Sequence, residues 1–354
     1  MSPAAREWRN RLILLSATIL LMLTAMELGC RVLRGPWFLI HWPNLVLYEA
    51  DVHRLPCMFI HDDALGYAPE ANCQGPEHSH TAQALRVMPS PPADVPADRL
   101  VLVSGDSYAY SDEVKDNETW AAYLQDMIHR RIDNGGVPGY GLDQSVLRTE
   151  DLARRLKPDL IVLAFIADDL QRAEMSRLYS GDKPFFTVSN GALVLHNSPA
   201  PDRPVTAQSL PFWQRWFGWS MLVDKFMRHF GYYDVWFWQD TVGTPPGTGE
   251  TLACPLMQKV AALKIPTLVV AQYRPHLWSY EAKWVAEQKR LTQVVLQCAT
   301  VAGLQTYDSF SLVDANVKTQ GVNSLYGSWH HSPAGNHLVA EGIADTLIKL
   351  KMLP

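Results

Sequence analysis

The sequence predicts an α/β fold with a parallel sheet, preceded by an N-terminal transmembrane helix. Apolar runs bounded by turn residues are typical of buried parallel strands, and they occur at 100–103, 158–165 and 266–271. Segments with helical periodicity alternate with or follow these strands, at 117–132, 278–302 and 334–350. Strands that alternate with helices favour an α/β fold with a parallel sheet.

The composition excludes two classes of protein. Only 19% of the 354 residues are charged, below the roughly 25% usual for soluble domains, and the chain carries 12 Trp. This abundance of apolar and aromatic side chains excludes intrinsic disorder. The net charge is −5 and there is no basic block, so we expect no nucleic-acid partner.

The N-terminal apolar segment, residues 12–29, is interpreted as a transmembrane anchor. It is eighteen residues long and includes Glu27, which we expect to snorkel to the interface. A cleaved secretory signal peptide is the alternative interpretation. Because Arg6, Arg9 and Arg11 precede the segment, the N-terminal tail is expected to stay in the cytoplasm. The predicted location is therefore the inner (cytoplasmic) membrane, single-pass, with the C-terminal domain in the periplasm or outside.

The cysteines are compatible with export. Cys57 with Cys73, and Cys254 with Cys298, could form disulfides in an oxidising compartment, and buried free thiols are the alternative. The segment before Cys30 resembles a lipoprotein cleavage box but has an acidic residue at a position that requires an aliphatic one, which argues against lipidation. No spacing of Cys and His suggests zinc, so no metal site is predicted.

Three segments are predicted. Residues 1–30 hold the cytoplasmic tail and the anchor, 31–98 form a membrane-proximal segment that ends in a Pro-rich loop, and 99–354 form the α/β domain. Residues 172–250 are interpreted as an insertion into that domain. It begins with a hairpin that turns at Asn-Gly within 184–195.

A Trp-rich stretch follows the hairpin at 211–240. Its aromatic residues at helical spacing indicate an amphipathic helix that covers the sheet. The alternatives are a lid over an acyl or glycan substrate, or a surface that rests on the bilayer.

Four polar features lie where the ends of the predicted strands should bring them together. Ser107 follows the first strand in a tight Gly turn, and 134–141 is a Gly-rich loop whose backbone N–H groups could stabilise an oxyanion. Asp168 follows the second strand, and the carboxyl ends of parallel strands are where such sheets bind ligands. His330 stands just before the last helix, and a histidine there can deprotonate a serine.

In this order, the four features resemble the SGNH (GDSL-type) hydrolase superfamily over roughly residues 99–354. Segments similar to its first, second and terminal blocks, as found in membrane-anchored bacterial members, are GDSYAYSDEVKDNETWAAYL at 105–124, NGGVPGYGLDQ at 134–144 and HHSPAGNHLVAEGIA at 330–344. The resemblance implies a flavodoxin-like three-layer fold with a parallel sheet, an acyl-enzyme mechanism and no cofactor.

The resemblance also implies roles for individual residues. Ser107 would be the nucleophile and His330 the general base, because the spacing to a following Ser and Gly selects it over His331, the second choice. The backbone amides of Ser107 and Gly139 would donate to the oxyanion, and Asp106 would brace the turn.

The sequence departs from the family in two places. The residue at the position of the third oxyanion donor, normally Asn, is Asp168; either it is protonated through burial beside Asp169, or the donor is lost, which costs about 10²–10³ in rate. The triad Asp expected two or three residues before the histidine is also missing, because these positions hold Gly327 and Ser328. A Ser–His dyad oriented by a backbone carbonyl is one explanation.

The other explanation for the missing acid is a substitute elsewhere in the chain, either Asp308 or Asp314.

Two functions follow as hypotheses. The first is an exported, membrane-tethered serine esterase or O-acyltransferase that acts on carbohydrate or lipid esters. The second is a catalytically degenerate protein that binds a glycan or serves as an accessory subunit of a membrane complex, with a membrane protein as partner.

Overall fold

The computed structural model describes residues 2–52, 57–58, 60–75, 78–93, 95, 99–179, 181–232, 236 and 241–353. The chain divides into two compact units. The first comprises Met1–Arg54 and Pro204–Asp240, and the second comprises Leu55–Arg203 and Thr241–Pro354.

The helices and strands of the described residues are numbered here in chain order. The α-helices are α1 (Pro3–Arg34), α2 (Trp37–Ile40), α3 (Leu45–Val52), α4 (Ser107–Tyr110), α5 (Trp120–Ile128), α6 (Leu142–Leu156), α7 (Asp168–Arg172), α8 (Phe212–Phe217), α9 (Met221–His229), α10 (Thr248–Ala261), α11 (Ala282–Val301), α12 (Phe310–Gln320), α13 (Val322–Leu325) and α14 (Pro333–Lys349). The strands are β1 (Ile60–Asp62), β2 (Gly66–Ala68), β3 (Leu100–Gly105), β4 (Arg131–Asn134), β5 (Leu160–Phe165), β6 (Met175–Leu178), β7 (Gly181–Asp182), β8 (Phe185–Ser189), β9 (Ala192–His196), β10 (Thr241–Val242), β11 (Thr267–Ala271) and β12 (Gln305–Asp308).

The second unit is built on a five-stranded parallel sheet with the strand order β12-β11-β5-β3-β4. The three predicted strands are its three inner members. Every residue of β3, β5 and β11 is buried, since helices cover both faces of the sheet. In the register, Leu102 of β3 pairs with Ile161 of β5, which in turn pairs with Thr267 of β11.

Helices cover both faces, so the unit has three layers. Buried side chains of α6, α10 and α11 pack on one face, and those of α5, α12 and α14 pack on the other. The predicted three-layer α/β fold with a parallel sheet is confirmed. The order of the strands places the ends of β3 and β5 side by side, which is where the candidate catalytic residues lie.

The helix predicted over 117–132 is shorter than expected. It covers Trp120–Ile128 and ends at His129, which adopts the left-handed conformation with φ 49°. The chain then forms the edge strand β4, whose burial alternates along its length. A short edge strand with charged residues gives no apolar run, so the strand pattern was not visible in the sequence.

The hairpin predicted within 184–195 is confirmed. Strands β8 and β9 pair antiparallel, and Asn190 and Gly191 form the turn with φ 51° and 76°. Positive φ at both turn residues is typical of the tight hairpin turns that favour Asn-Gly.

Both candidate cysteine pairs form disulfides, Cys57 with Cys73 and Cys254 with Cys298. Cys30 is the free cysteine. Among the described residues, the cluster with metal-ligand spacing is Cys57, Cys73 and Glu70, whose two sulfur atoms are already joined to each other.

The first unit combines the N-terminal helices with part of the Trp-rich stretch. Its buried side chains include Val46 of α3, Leu210 and Trp236. Helix α1 contains, over Ala5–Arg34, a segment long and apolar enough to cross a membrane.

The compact units therefore differ from the predicted segments. Residues up to 54 pack with 204–240, whereas 55–98 and the hairpin belong to the α/β unit. Helices α8 and α9 belong to the first unit, where Trp213 and Val223 pack against its buried cluster. Contacts between segments so far apart in sequence leave no local pattern, so composition alone could not assign them.

Candidate active site

The turn between β3 and α4 presents Ser107 at the carboxyl edge of the sheet. The Asp106 carboxylate accepts hydrogen bonds from the backbone N–H of Tyr108 at 2.9 Å and of Ala109 at 3.4 Å, so it caps α4. Gly105 adopts φ 142°, and a Cβ there would lie 2.1 Å from the carbonyl oxygen of Ala164. Only glycine fits this position, so the turn that carries the serine is tightly fixed.

His330 lies within hydrogen-bond distance of the candidate nucleophile. Its Nε2 is 2.9 Å from Ser107 Oγ. With the proton of the neutral imidazole on Nδ1, the serine hydroxyl donates to Nε2, which is the geometry a general base requires.

His331 has a different environment. Its ring is buried and stacks on Tyr326, with 4.5 Å between the ring centroids. Burial, together with the neighbouring His330, lowers the pKa of His331 to about 3. The structure thus brings His330, and not the second choice His331, to Ser107.

Glu113, in the loop that follows α4, lies at the other ring nitrogen of His330. Oε1 of Glu113 is 3.3 Å from His330 Nδ1. The same carboxylate accepts hydrogen bonds from the backbone N–H of Ser328 at 2.9 Å and of Trp329 at 3.1 Å. A Cβ on Gly327 would lie 2.7 Å from Glu113 Oε2. The carboxylate therefore occupies space next to the position where the sequence comparison expected the triad acid.

The backbone of Glu113 is unusual. Its φ is 68°, in the left-handed region that non-glycine residues seldom adopt. Such a conformation costs on the order of 1 kcal/mol and is concentrated at functional sites. Here it belongs to the residue whose carboxylate faces His330.

The electrostatics keep Glu113 ionised. Burial alone would raise its pKa, but the His330 side chain and the backbone N–H groups of Trp329 and His330 outweigh burial and lower the pKa to about 2. A negatively charged carboxylate therefore faces His330 Nδ1.

The two aspartates proposed as substitutes for the triad acid have other partners. Asp308 accepts a hydrogen bond from the Tyr273 hydroxyl at 2.8 Å, and Asp314 accepts one from Trp278 Nε1 at 3.0 Å. The carboxylate that the structure places at His330 is that of Glu113.

Asp168 begins α7, directly after β5, and forms an ion pair with Arg274. The partner of the Asp168 carboxylate is therefore a guanidinium, whereas the sequence analysis considered burial beside Asp169. Arg274 thus places a positive charge beside the Asp168 carboxylate.

Asp169 turns away from this pair into the protein. It accepts a hydrogen bond from the backbone N–H of Ile166 at 3.1 Å and one from Arg172 at 2.8 Å. Burial, and then the nearby Asp106, raises the pKa of Asp169 well above its usual range. Asp106 is also buried, 3.4 Å from Arg172, and burial raises its pKa. The side chains of Asp106, Asp169 and Arg172 thus form a buried charged cluster next to the turn that carries Ser107.

The Gly-rich loop lies against the serine turn. The backbone N–H of Gly135 donates to the Val103 carbonyl at 2.8 Å, and that of Val137 donates to the Gly105 carbonyl at 3.0 Å. Gly139 adopts φ 78°, and a Cβ there would lie 2.1 Å from the Tyr179 ring. The loop is therefore fixed next to Ser107, and donation by the Gly139 amide stays a prediction.

Aromatic side chains lie next to His330 and to the ion pair of Asp168 and Arg274. Trp329 precedes His330 and is 51% exposed, and its ring lies 4.7 Å from that of His276. The His276 ring is 4.6 Å from the exposed Tyr280 ring. The Arg274 guanidinium lies 5.5 Å from the Trp329 ring, within the range of cation–π attraction.

Two residues of this site, Glu113 and Arg274, were not among the sequence candidates. Arg274 follows the third predicted strand, and the rule that strand ends converge at the carboxyl edge could have identified it. Glu113 had no such signal, because it lies in a loop six residues after the serine.

These features define the second unit as a three-layer α/β unit with a serine–histidine–glutamate arrangement at the carboxyl edge of its sheet. Similar folds occur among solved structures. LAE5, an alpha/beta hydrolase enzyme from the metagenome of Lake Arreo, is 14% identical over 73% of this chain and 98% of its own, with a TM-score of 0.42.

Two further solved structures are similar at the same level. Axe2, an acetylxylan esterase from Geobacillus stearothermophilus, is 14% identical over 72% of this chain and 95% of its own, with a TM-score of 0.43. The psychrotrophic esterase EstA from Pseudoalteromonas sp. is 14% identical over 72% of this chain and 99% of its own, with a TM-score of 0.39. No protein-family model and no curated protein matches the chain. At this level of identity and TM-score, the similarity does not assign an activity.

Proposed function

We propose that this protein is an SGNH-type serine enzyme that cleaves or transfers an acyl ester. The observation that carries the proposal is the line of contacts from Ser107 through His330 to Glu113, at the end of the strand that the nucleophile follows. A nucleophile, a base and a group that orients the base define acyl transfer through a covalent intermediate.

The reaction begins with Ser107 Oγ. It attacks the ester carbonyl while its proton passes to His330 Nε2, and Glu113 stabilises the imidazolium that results. Collapse of the tetrahedral intermediate breaks the ester C–O bond, and the leaving alcohol takes the proton from Nε2. The acyl group remains on Ser107 until water or a sugar hydroxyl, deprotonated by the same histidine, attacks it and restores the free serine.

The oxyanion requires donors beside the nucleophile. The backbone amides of Ser107 and Gly139 are our candidates, on rigid turns that need no reorganisation. At the third position, the pair of Asp168 and Arg274 replaces a neutral amide, and the guanidinium supplies the positive charge there.

We infer that the substrate is an acylated carbohydrate rather than a lipid ester. Exposed rings of Trp329 and Tyr280 offer flat faces for the apolar side of a sugar, and Arg274 can donate to its hydroxyl groups. A lipid ester would need a continuous apolar groove in place of this mixed surface.

Export and tethering to the membrane are part of the same proposal. Two disulfides favour an oxidising compartment, and α1 is long enough for a single span. Residues 12–29 would then form the anchor, with the α/β unit in the periplasm or outside.

The test is covalent labelling of the full-length folded protein with a fluorophosphonate probe, together with hydrolysis of p-nitrophenyl acetate. We expect labelling of the wild type, and loss of both signals in Ser107→Ala. If the wild type is folded but is neither labelled nor active, the catalytic proposal is wrong and the non-catalytic glycan-binding alternative is favoured. Adding a sugar acceptor separates transfer from hydrolysis, because transfer yields an acylated acceptor.

A further inference from the structure

The end of α1 is part of the folded first unit. The Glu27 carboxylate accepts hydrogen bonds from the Ser220 hydroxyl and from the backbone N–H groups of Met221 and Leu222, each at 2.9 Å. These are N–H groups of the first turn of α9, which have no partner within that helix. A side chain of the apolar helix therefore caps α9.

Arg31, one turn further along α1, completes this connection. It is fully buried, and it donates to Glu27 at 2.7 Å, to the Phe38 carbonyl at 2.9 Å and to the Trp219 carbonyl at 2.5 Å. Its guanidinium lies 3.5 Å from the centre of the Trp42 ring. Separating a buried charge from its partners is strongly destabilising. The position of α9 along the axis of α1 is therefore fixed.

Arg34 adds a second connection, to Glu49 of α3 at 2.6 Å and to Asp224 of α9 at 3.3 Å. Cleavage of α1 as a signal peptide between Glu27 and Arg31 would remove the carboxylate that caps α9 and that accepts from the buried Arg31. The structure therefore favours a helix that is retained.

The length of α1 sets the depth of the unit. Arg11 and Glu27 are sixteen positions apart, which corresponds to about 24 Å along a helix, less than the roughly 30 Å of a hydrocarbon core. If Arg11 lies at one face of the bilayer, Glu27 and the start of α9 lie at the edge of the hydrocarbon near the other face. Saturation of Glu27 by four donors is what allows a carboxylate at that depth.

The segment held at this depth exposes large aromatic side chains. Those of α8, α9 and their flanks that are exposed by 48–74% are Phe212, Trp216, Phe217, Trp219, Phe226 and Phe230. Exposed cationic residues, Arg215 and Lys225, accompany them. Trp with flanking cations is typical of the interfacial layer of a membrane, and in water so many exposed rings would be a liability.

We propose that this aromatic face, residues 212–230, lies in the interfacial layer of the bilayer that α1 crosses. The occupant of the face is lipid: headgroups meet Arg215 and Lys225, and the rings reach the boundary of the acyl chains. The face continues the lipid contact of α1, to which Glu27 and Arg31 bind it. This inference stands independently of the catalytic proposal, because it uses no residue of the α/β unit.

The test places a nitroxide label at a single cysteine in the full-length protein, reconstituted in phosphatidylcholine–phosphatidylglycerol vesicles. The background is Cys30→Ala, which removes the free cysteine. The label replaces Trp216, which is 66% exposed, and the matched control replaces Val301, which is 81% exposed in the α/β unit. Collision of the label with oxygen, which concentrates in lipid, is compared with collision with a water-soluble nickel chelate.

We expect the ratio of oxygen to nickel collisions to be higher at 216 than at 301, on the order of tenfold, because the interfacial layer excludes the chelate. Equal ratios at the two positions would overturn the proposal. Short distances between labels at 216 on different molecules would also overturn it, since they would assign the face to a second copy. Intact mass of the membrane-extracted protein checks retention of α1, and a mass that lacks residues 1–29 would contradict it.

Discussion

Replacement of Glu113 by Gln is expected to lower kcat/KM between about 10²- and 10³-fold. At 3.3 Å, a carboxylate attracts an imidazolium by about 5 kcal/mol with an effective dielectric constant near 20. The Glu113 side chain is 29% exposed, so water screens part of this attraction, and about half of it corresponds to a loss of about 10²-fold. Loss of the orientation of His330 adds to the charge effect.

The assay is hydrolysis of p-nitrophenyl acetate from pH 5 to 9, with the fluorophosphonate labelling rate as a second readout. Glu118→Gln makes the same change of charge in the same loop and is expected to keep full activity. Because φ at Gly327 is not in the left-handed region, aspartate fits there, and Gly327→Asp added to Glu113→Ala is expected to recover part of the lost activity. If Glu113→Gln keeps more than a third of the wild-type kcat/KM, the assignment of Glu113 is wrong.

Three further changes test the site and the fold. Arg274→Met is expected to lower kcat/KM by about 10²-fold, because it leaves the Asp168 carboxylate unpaired beside the oxyanion. Adding Asp168→Asn in the same chain is expected to restore most of the lost kcat/KM. No recovery in the double variant would contradict the role of Arg274 as the partner of Asp168. His331 is held neutral in the folded protein with a pKa of about 3 against about 6.5 unfolded, so the unfolded chain binds more protons and stability falls as pH drops from 7 to 3, by roughly 4 kcal/mol. In urea melts, His331→Phe should weaken this dependence, and an unchanged slope would refute it. Serine at both Cys254 and Cys298 should lower the free energy of unfolding by about 4 kcal/mol, given their sequence separation of 44, and an unchanged urea midpoint would show that the bridge adds no stability.

The predictable part of the fold is the part whose pattern is local. The inner strands are continuous apolar runs because both of their faces are buried, and the sequence shows them directly. The edge strands β4 and β12 carry polar residues, and their burial is incomplete, so they have no such pattern. The hairpin was predictable because Asn-Gly favours the positive φ of its turn.

The composition of the first unit was not predictable. The contact between α1 and α9 in this unit depends on Glu27, which the sequence analysis expected to snorkel to the membrane interface. The structure places its carboxylate on the first turn of α9, almost two hundred residues away in sequence. The N-cap Ser220 satisfies only the backbone N–H of Val223 in that turn, and the N–H groups of Met221 and Leu222 are satisfied by the distant Glu27 side chain. No sequence window contains both helices.

The contact between Ser107 and His330 was predictable because each residue stands in a motif next to a strand end or a helix start. The resemblance to the SGNH family selected His330 over His331, and the geometry agrees with that choice. The ion pair of Asp168 was missed for a different reason. The departure at 168 was interpreted alone, although Arg274, at the end of the neighbouring strand, offers the compensating charge.

The glycine at 327, where the family usually has the triad acid or a neighbour of it, can be interpreted only together with Glu113. Gly327 removes a side chain from the histidine loop, and the space beside it holds the Glu113 carboxylate, 2.7 Å from where a Cβ would be. Glu113 reaches that place only through its left-handed backbone, in the loop that also carries Ser107. The candidate nucleophile and acid thus come from one segment and the candidate base from another. The backbone N–H groups of Ser328 and Trp329 join the two segments through the same carboxylate. The absence of an acid before the histidine is therefore no sign of a degenerate site, because a glycine at 327 is what an acid arriving from the loop that follows α4 requires.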